Sequence, residues 1–213
     1  SKNKLVVLAN PNAQTGIFLP LSEVEEILAA NRKSVVVIDE AYVDFGGESA
    51  VKLTEKYENL VVVQTFSKSR SLAGARVGFA VASEALAADL NRVRNSFNPY
   101  NVNRLSALLA ANAVLDKAYF EESVAKVKKS REFTKKELEK RGFTVLDSSA
   151  NFLMAGSAAI GGEELYLALK ERGILVRHFK DERIKNFVRV SIGAKEDMLK
   201  FLEEVDDITG RRS

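Results

Sequence analysis

Three short, unbroken apolar runs restrict the fold more than any other feature: Leu5-Val-Val-Leu-Ala9, Val35-Val-Val-Ile38 and Leu60-Val-Val-Val63. Strict alternation would mark strands with one wet face. Continuous runs of this length instead fit central strands of a parallel sheet covered on both faces. The segments between them are helical in pattern. Leu21-Ser22-Glu23-Val24-Glu25-Glu26-Ile27-Leu28 repeats its apolar positions at helical spacing, and Ser22 with Glu25 reads as a capping box. Gly46-Gly47 then introduces a short helical stretch through Val51, Leu53 and Tyr57. This β-α-β-α-β order predicts an α/β sheet with right-handed crossovers.

Residues 76–82 read as a further strand, followed by helices near 83–94 and 102–114. Asp116 begins a long helix with apolar positions at Phe120, Val124, Val127 and Leu138, and Gly142 is its natural stop. Beyond it the texture changes to strands at 143–146, 152–155, 174–176 and 188–192, with helices at 163–172 and 195–207. That set is α+β, so the chain is predicted to divide into residues 1–114 and 115–213.

Composition narrows the chemistry. With 213 residues, 46% apolar and 29% charged, the chain is globular in character. It has no cysteine, which removes disulfide frameworks, zinc fingers and cysteine nucleophiles and points to the reducing cytoplasm. The single histidine, His178, reads as structural and argues against a multi-histidine metal site, so no metal is expected. Lysine and arginine total 32 against 29 acidic residues, a balanced surface rather than a polycation for nucleic acid. No window approaches the ~18 consecutive apolar residues of a membrane span. Ser1-Lys2-Asn3-Lys4 shows no signal-peptide pattern, and the missing initiator methionine predicts a processed end or a fragment.

Ligands of open α/β sheets bind beyond the carboxyl ends of the strands. Here those ends are Asn10-Pro-Asn12-Ala-Gln-Thr-Gly16, Asp39-Glu-Ala-Tyr42 and Thr65-Phe-Ser67-Lys68. Residues 59–83 contain no acidic side chain but include Lys68, Arg70 and Arg76 with hydroxyls at Thr65, Ser67, Ser69 and Ser71, a composition suited to a phosphate. Neither G-x-x-x-x-G-K-[ST] nor G-x-G-x-x-G occurs, which excludes simple ATPase and dinucleotide readings. Asp39, directly after Val-Val-Val-Ile, is expected to be partly buried. It then needs a cationic partner, either a nearby arginine or a ligand's protonated ring nitrogen.

Together these segments resemble fold-type I pyridoxal-phosphate aminotransferases, and within them the histidinol-phosphate aminotransferase family. The resemblance is carried by Asn10-Pro-Asn-Ala-Gln-Thr-Gly16, Val-Ile-Asp39-Glu-Ala-Tyr42-Val-Asp-Phe and Thr65-Phe-Ser-Lys68-Ser-Arg-Ser-Leu-Ala-Gly-Ala-Arg76-Val-Gly-Phe. Asn98-Pro-Tyr-Asn-Val, Ser149-Ala-Asn151-Phe, Gly173-Ile-Leu-Val-Arg177-His-Phe and Val188-Arg189-Val-Ser-Ile-Gly193 extend it along the chain. It implies that residues 1–114 form part of a large cofactor-binding α/β domain and 115–213 a small C-terminal α+β domain. Lys68 would be the lysine that bonds the aldehyde of pyridoxal 5′-phosphate and then moves the substrate's proton, a task helped by a desolvated amine. Asp39 would pair with the pyridinium nitrogen and Tyr42 with the phenolic oxygen, while Thr65, Ser67 and Arg76 grip the phosphate. Arg189 would bind the substrate's carboxylate or phosphate, with Asn151 and Arg177 lining the same site.

The resemblance further implies a cytoplasmic homodimer that exchanges an amino group between an amino donor, L-histidinol phosphate, and a 2-oxo acid, 2-oxoglutarate. An aromatic aminotransferase or a threonine-phosphate decarboxylase would share the cofactor residues. Two departures stand out. Ala13 and Gln14 replace the asparagine and proline of the family's turn, leaving Asn12, Tyr42 or water to cover the phenolic oxygen. The family's N-terminal arm and the first part of its large domain have no counterpart in these 213 residues, so a catalytically incompetent folding or associating module is the contrasting expectation.

Overall fold

The computed structural model describes residues 4–210; Ser1-Lys2-Asn3, part of the segment read for a signal-peptide pattern, lie outside the described residues. The chain divides into two compact units. One holds the chain up to Ala13 together with Phe18–Ser123, and the other holds Gln14–Ile17 and the chain from Val124 onward. The division falls within the long helix, between Ser123 and Val124, and a four-residue piece of the first strand-end loop goes with the second unit.

The first unit is built on a four-stranded sheet in the order β1 (Leu5–Ala9), β2 (Val35–Asp39), β3 (Leu60–Thr65), β4 (Gly78–Ala82). β1, β2 and β3 are parallel and β4 runs antiparallel to β3. The helix α1 (Leu21–Ala30) connects the first two strands and buries Val24 and Leu28 against Val36, Ile38, Leu60 and Val62. Its N-cap is Pro20, so Ser22 sits inside the first turn and the expected capping box is not made. Pro20 fits there because its carbonyl still accepts from Glu23 and Val24. The stretch between β2 and β3 forms two 3-10 turns, Val43–Phe45 and Ala50–Leu53, in place of an α-helix.

The sheet is not covered on both faces along its whole width. Leu5, Val7, Val35, Val37 and Asp39 share one face by register, and on β1 this face leaves Leu5 65% and Val7 63% exposed. Apolar content alone cannot separate a doubly covered strand from one whose second face awaits a partner. α2 (Glu84–Phe97) and α3 (Arg104–Leu115) complete the unit, with α2 packed against β4.

The second unit packs α4 (Lys117–Lys140, from Val124), α5 (Gly162–Glu171) and α6 (Lys195–Ile208) with an antiparallel sheet ordered β5 (Phe143–Val145), β6 (Phe152–Ser157), β8 (Phe187–Ser191), β7 (Arg177–His178). Leu153, Ala155, Val188 and Val190 point to the core, with Leu138, Leu165, Leu169, Phe201, Leu202 and Val205 among the side chains they meet. Alternation along β6 and β8 then sends Met154 and Arg189 to the opposite face. Gly142 ends α4 with φ +73°, a left-handed position that glycine tolerates. The strand expected at 174–176 lies slightly later, at β7. Arg141 joins α4 to α6, donating from Nε and Nη2 to the two carboxylate oxygens of Asp206 at 2.8 and 2.7 Å. Among the described residues no helix is long and apolar enough to cross a membrane.

Candidate active site

In the first unit the nominated residues gather at the carboxyl ends of β2 and β3. Register places Asp39 opposite Val63, so Asp39 and Thr65 project from the same face. Asp39 is exposed, contrary to the expectation of partial burial, and its Oδ1 accepts the Ala41 amide at 3.0 Å. The carboxylate that is buried belongs to the next residue. Glu40, 2% exposed, accepts from Ser49 Oγ and the Ala50 amide, both at 2.6 Å, and from Gln64 Nε2 at 2.8 Å. Alternation explains the exchange: with Val36 and Ile38 facing the core, Asp39 must face away. Burial pushes the Glu40 carboxyl above its ordinary value, against the opposing effect of its hydrogen bonds.

Lys68 lies on the loop after β3, its Nζ 5.2 Å from the centre of the Tyr42 ring. It is exposed, so the amine is not desolvated as anticipated. Thr65 and Ser67 are joined through their hydroxyl oxygens at 3.0 Å, and the Ser67 amide donates to Thr65 Oγ1 at 3.1 Å. Arg76 occupies left-handed backbone, φ +57°, and donates from Nη1 to the Ala73 carbonyl at 3.2 Å. Ser71 is also left-handed, φ +55°. Two such non-glycine residues between Lys68 and β4 cost about 1 to 3 kcal/mol each, a strain found where a loop is held for function.

The first strand-end loop is anchored by Asn10, which sequence reading passed over. Asn10 is 1% exposed; its side chain donates to the Leu19 carbonyl at 2.9 Å and accepts the Leu19 amide at 2.8 Å. Asn12 is half-buried in the turn that follows, in the first unit, whereas Gln14–Ile17 belongs to the second. There, Gly16 adopts φ +80° and its carbonyl accepts the Ser149 amide; a Cβ on it would come within 2.3 Å of Ser148 Oγ.

The remaining nominated residues lie in the second unit. Arg177 and Arg189 are direct cross-strand partners. The Arg189 guanidinium lies 4.8 Å from the Phe152 ring centre and 5.6 Å from that of Phe179, while Arg177 lies 5.5 Å from Phe179. Two guanidinium groups stacked on aromatic faces with like charge adjacent suit an anionic ligand. Asn151 sits at the start of β6, where its backbone carbonyl accepts the Ile192 amide at 2.9 Å. The turn before it is fixed by buried Arg131, which donates to the Ala150 carbonyl at 2.7 Å. His178 has a structural setting, with Nε2 2.7 Å from the Lys185 carbonyl and its ring stacked on Tyr166.

An amine, a carboxylate, a phenol, two paired hydroxyls and a guanidinium at adjoining strand ends match the chemistry of pyridoxal phosphate. The donor set offers covalent attachment, a counter-ion for a ring nitrogen and an anion cradle. One cavity of about 630 Å³ is lined by Arg70 and Leu72 of the Lys68 loop with Ala113 and Phe120, and another of about 750 Å³, in the second unit, by Phe133, Ile192, Lys126 and Lys195.

The family model for aminotransferase class I and II matches residues 1–205, and the chain belongs to that family of enzymes. The chain is 51% identical over 201 residues to a histidinol-phosphate aminotransferase of Brachyspira hyodysenteriae, covering 94% of this chain and 57% of the relative. To the histidinol-phosphate aminotransferase of a Clostridium botulinum strain it is 47% identical over 205 residues, covering 96% and 58%. It thus spans somewhat more than half the length of the curated relatives it matches. Its fold is that of the solved histidinol-phosphate aminotransferase from Clostridium acetobutylicum, with TM-score 0.89, 28% identity, and 98% of this chain and 64% of that one covered. The enzyme of that name from Sinorhizobium meliloti, solved in complex with pyridoxal-5′-phosphate, shares the fold at TM-score 0.86 and 23% identity, covering 97% of this chain and 57% of that one.

Proposed function

We propose that this chain supplies the cofactor lysine and most of the cofactor contacts of a pyridoxal-phosphate-dependent histidinol-phosphate aminotransferase. Its reaction would exchange an amino group between L-histidinol phosphate and 2-oxoglutarate, in the histidine-biosynthetic direction or its reverse. The observation that carries this reading is the strand-end constellation itself: Lys68 against the Tyr42 ring, with Asp39 and Thr65 on one sheet face. The relatives' names support the substrate assignment.

When bound, pyridoxal phosphate supplies an electron sink for the pair left at the substrate carbon after proton removal. Lys68 would hold the cofactor through its amine and, with that amine free, would be the base that takes the proton from the substrate's Cα and the acid that hands it on. Asp39 keeps the ring nitrogen protonated, and Tyr42 donates its phenolic O–H to the cofactor's oxygen. Thr65, Ser67 and Arg76 bind the phosphate. In the second unit, Arg177 and Arg189 bind the substrate's anionic group, the phosphate of one substrate or a carboxylate of the other, with Asn151 beside them. The protein acts in the cytoplasm as a homodimer.

The test is an amino-donor panel on the purified chain loaded with pyridoxal phosphate, followed through the cofactor's visible absorbance. L-Histidinol phosphate is expected to discharge that absorbance about tenfold more efficiently than an aromatic amino acid. A reversed preference would reject the substrate assignment.

A further inference from the structure

The residues on either side of Lys68 are each fastened to a different part of the first unit. Ser67 is tied to Thr65 of β3. Ser69 is buried and donates from Oγ to Asp44 Oδ2, on the 3-10 turn that follows Tyr42. Arg70 donates from Nη1 to the Ala113 carbonyl at the end of α3, at 2.5 Å, and its guanidinium stacks 4.1 Å from the centre of the Phe120 ring on α4. Backbone bonds from the Ser71 amide to the Lys68 carbonyl, 3.1 Å, and from the Leu72 amide to the Phe66 carbonyl, 2.9 Å, close the loop. Among Ser67, Lys68, Ser69 and Arg70, Lys68 alone is exposed.

A lysine has four rotatable bonds, and its Nζ can be aimed only if the backbone beneath it does not swing. The Ser69–Asp44 bond sets that backbone relative to Tyr42, two residues before Asp44. A guanidinium fits the other side because it can donate in its plane to Ala113 and present its face to Phe120 at the same time; an ammonium cannot do both. We propose that Arg70 and the Ser69–Asp44 pair are positioning groups which fix the direction of Lys68, acting from opposite sides of its loop. The proposal rests on the assignment of Lys68 as the cofactor lysine.

The test compares the purified full chain with Arg70→Met, Arg70→Lys and Ser69→Ala. Loaded with pyridoxal phosphate, each is measured for the ratio of visible circular dichroism to visible absorbance, which reports how rigidly the bound ring is oriented. Arg70→Met is expected to lower that ratio about threefold and Ser69→Ala about twofold, with Arg70→Lys recovering part of the loss. Without cofactor, amide exchange at Ser71 and Leu72 is expected to quicken about tenfold in Arg70→Met, with the Val36 and Glu40 amides unchanged. A wild-type ratio with wild-type exchange in both Arg70→Met and Ser69→Ala would overturn the proposal. So would an equal rise at all four amides, the signature of a general loss of stability. If the unsubstituted chain takes no cofactor on Lys68, the functional assignment fails, and the local exchange still decides whether the loop is clamped.

Discussion

The ammonium nitrogen of Lys68 stands 5.2 Å from the centre of the Tyr42 ring, bringing together two side chains separated by a complete β-strand and its preceding loop. The ring can serve the site in two ways, through its face toward the cation and through its phenolic O–H. Tyr42→Phe keeps the first and removes the second, so pyridoxal-phosphate affinity should fall about five- to tenfold, the value of one hydrogen bond. Tyr42→Leu removes the same O–H and should weaken cofactor binding by a similar factor. Titration of the visible absorbance checks this; equal affinity in all three proteins would remove Tyr42 from the site.

Arg76 combines strain with function. A left-handed residue bearing a Cβ costs about 1 to 2 kcal/mol, of which glycine's greater unfolded-state freedom would return part. Arg76→Gly should therefore raise the unfolding free energy of the cofactor-free chain by about 0.5 to 1 kcal/mol. It should also weaken cofactor binding about tenfold through loss of a charge-assisted contact to phosphate. Urea unfolding and cofactor titration together test the trade. A variant that binds as tightly as the parent would show that Arg76 does not hold the phosphate.

The strand runs, the long helix and the glycine that ends it were legible in sequence because each is decided locally, by periodicity and by backbone conformation. β1, α1, β2 and β3 begin at the residues the apolar pattern indicates. What lay beyond reach were relationships between segments. A run such as Leu5–Ala9 looks the same whether its second face is covered or open. The antiparallel direction of β4 depends on the loop that returns the chain through Arg76 rather than on its own residues. At the site, Lys68 lies beside the Tyr42 ring and Thr65 beside Ser67, while Asp39, expected to be partly buried, is exposed and Glu40 is buried instead. Strand alternation from Ile38 could have given that answer. Arg70 read as one of the cations of a phosphate-suited segment, and neither it nor Asp44 revealed its partner, a backbone carbonyl at Ala113 and the hydroxyl of Ser69, because those are set by tertiary packing.

Glu40 gives the first unit a pH dependence of definite sign. Burial holds its carboxyl above the ordinary carboxylate value in the folded protein, so the native state binds that proton more tightly than the unfolded chain does. Its contribution to stability is therefore greatest below the unfolded pKa and is lost as pH rises through the raised folded value. Glu40→Gln abolishes this titration. Urea unfolding of the parent and the variant from about pH 4 to about pH 8 should show the difference shifting in the variant's favour as pH rises. A shift in the parent's favour would mean that the hydrogen bonds from Ser49, Ala50 and Gln64 outweigh burial.

The central claim is that one lysine of this chain holds the cofactor, and covalent capture addresses it directly. The purified chain is equilibrated with pyridoxal phosphate, reduced with borohydride, digested and mapped by mass spectrometry. The expected result is a single dominant pyridoxyl-modified peptide containing Lys68, lost in Lys68→Ala. Modification spread among surface lysines, or concentrated on a lysine outside the loop between β3 and β4, would contradict the account.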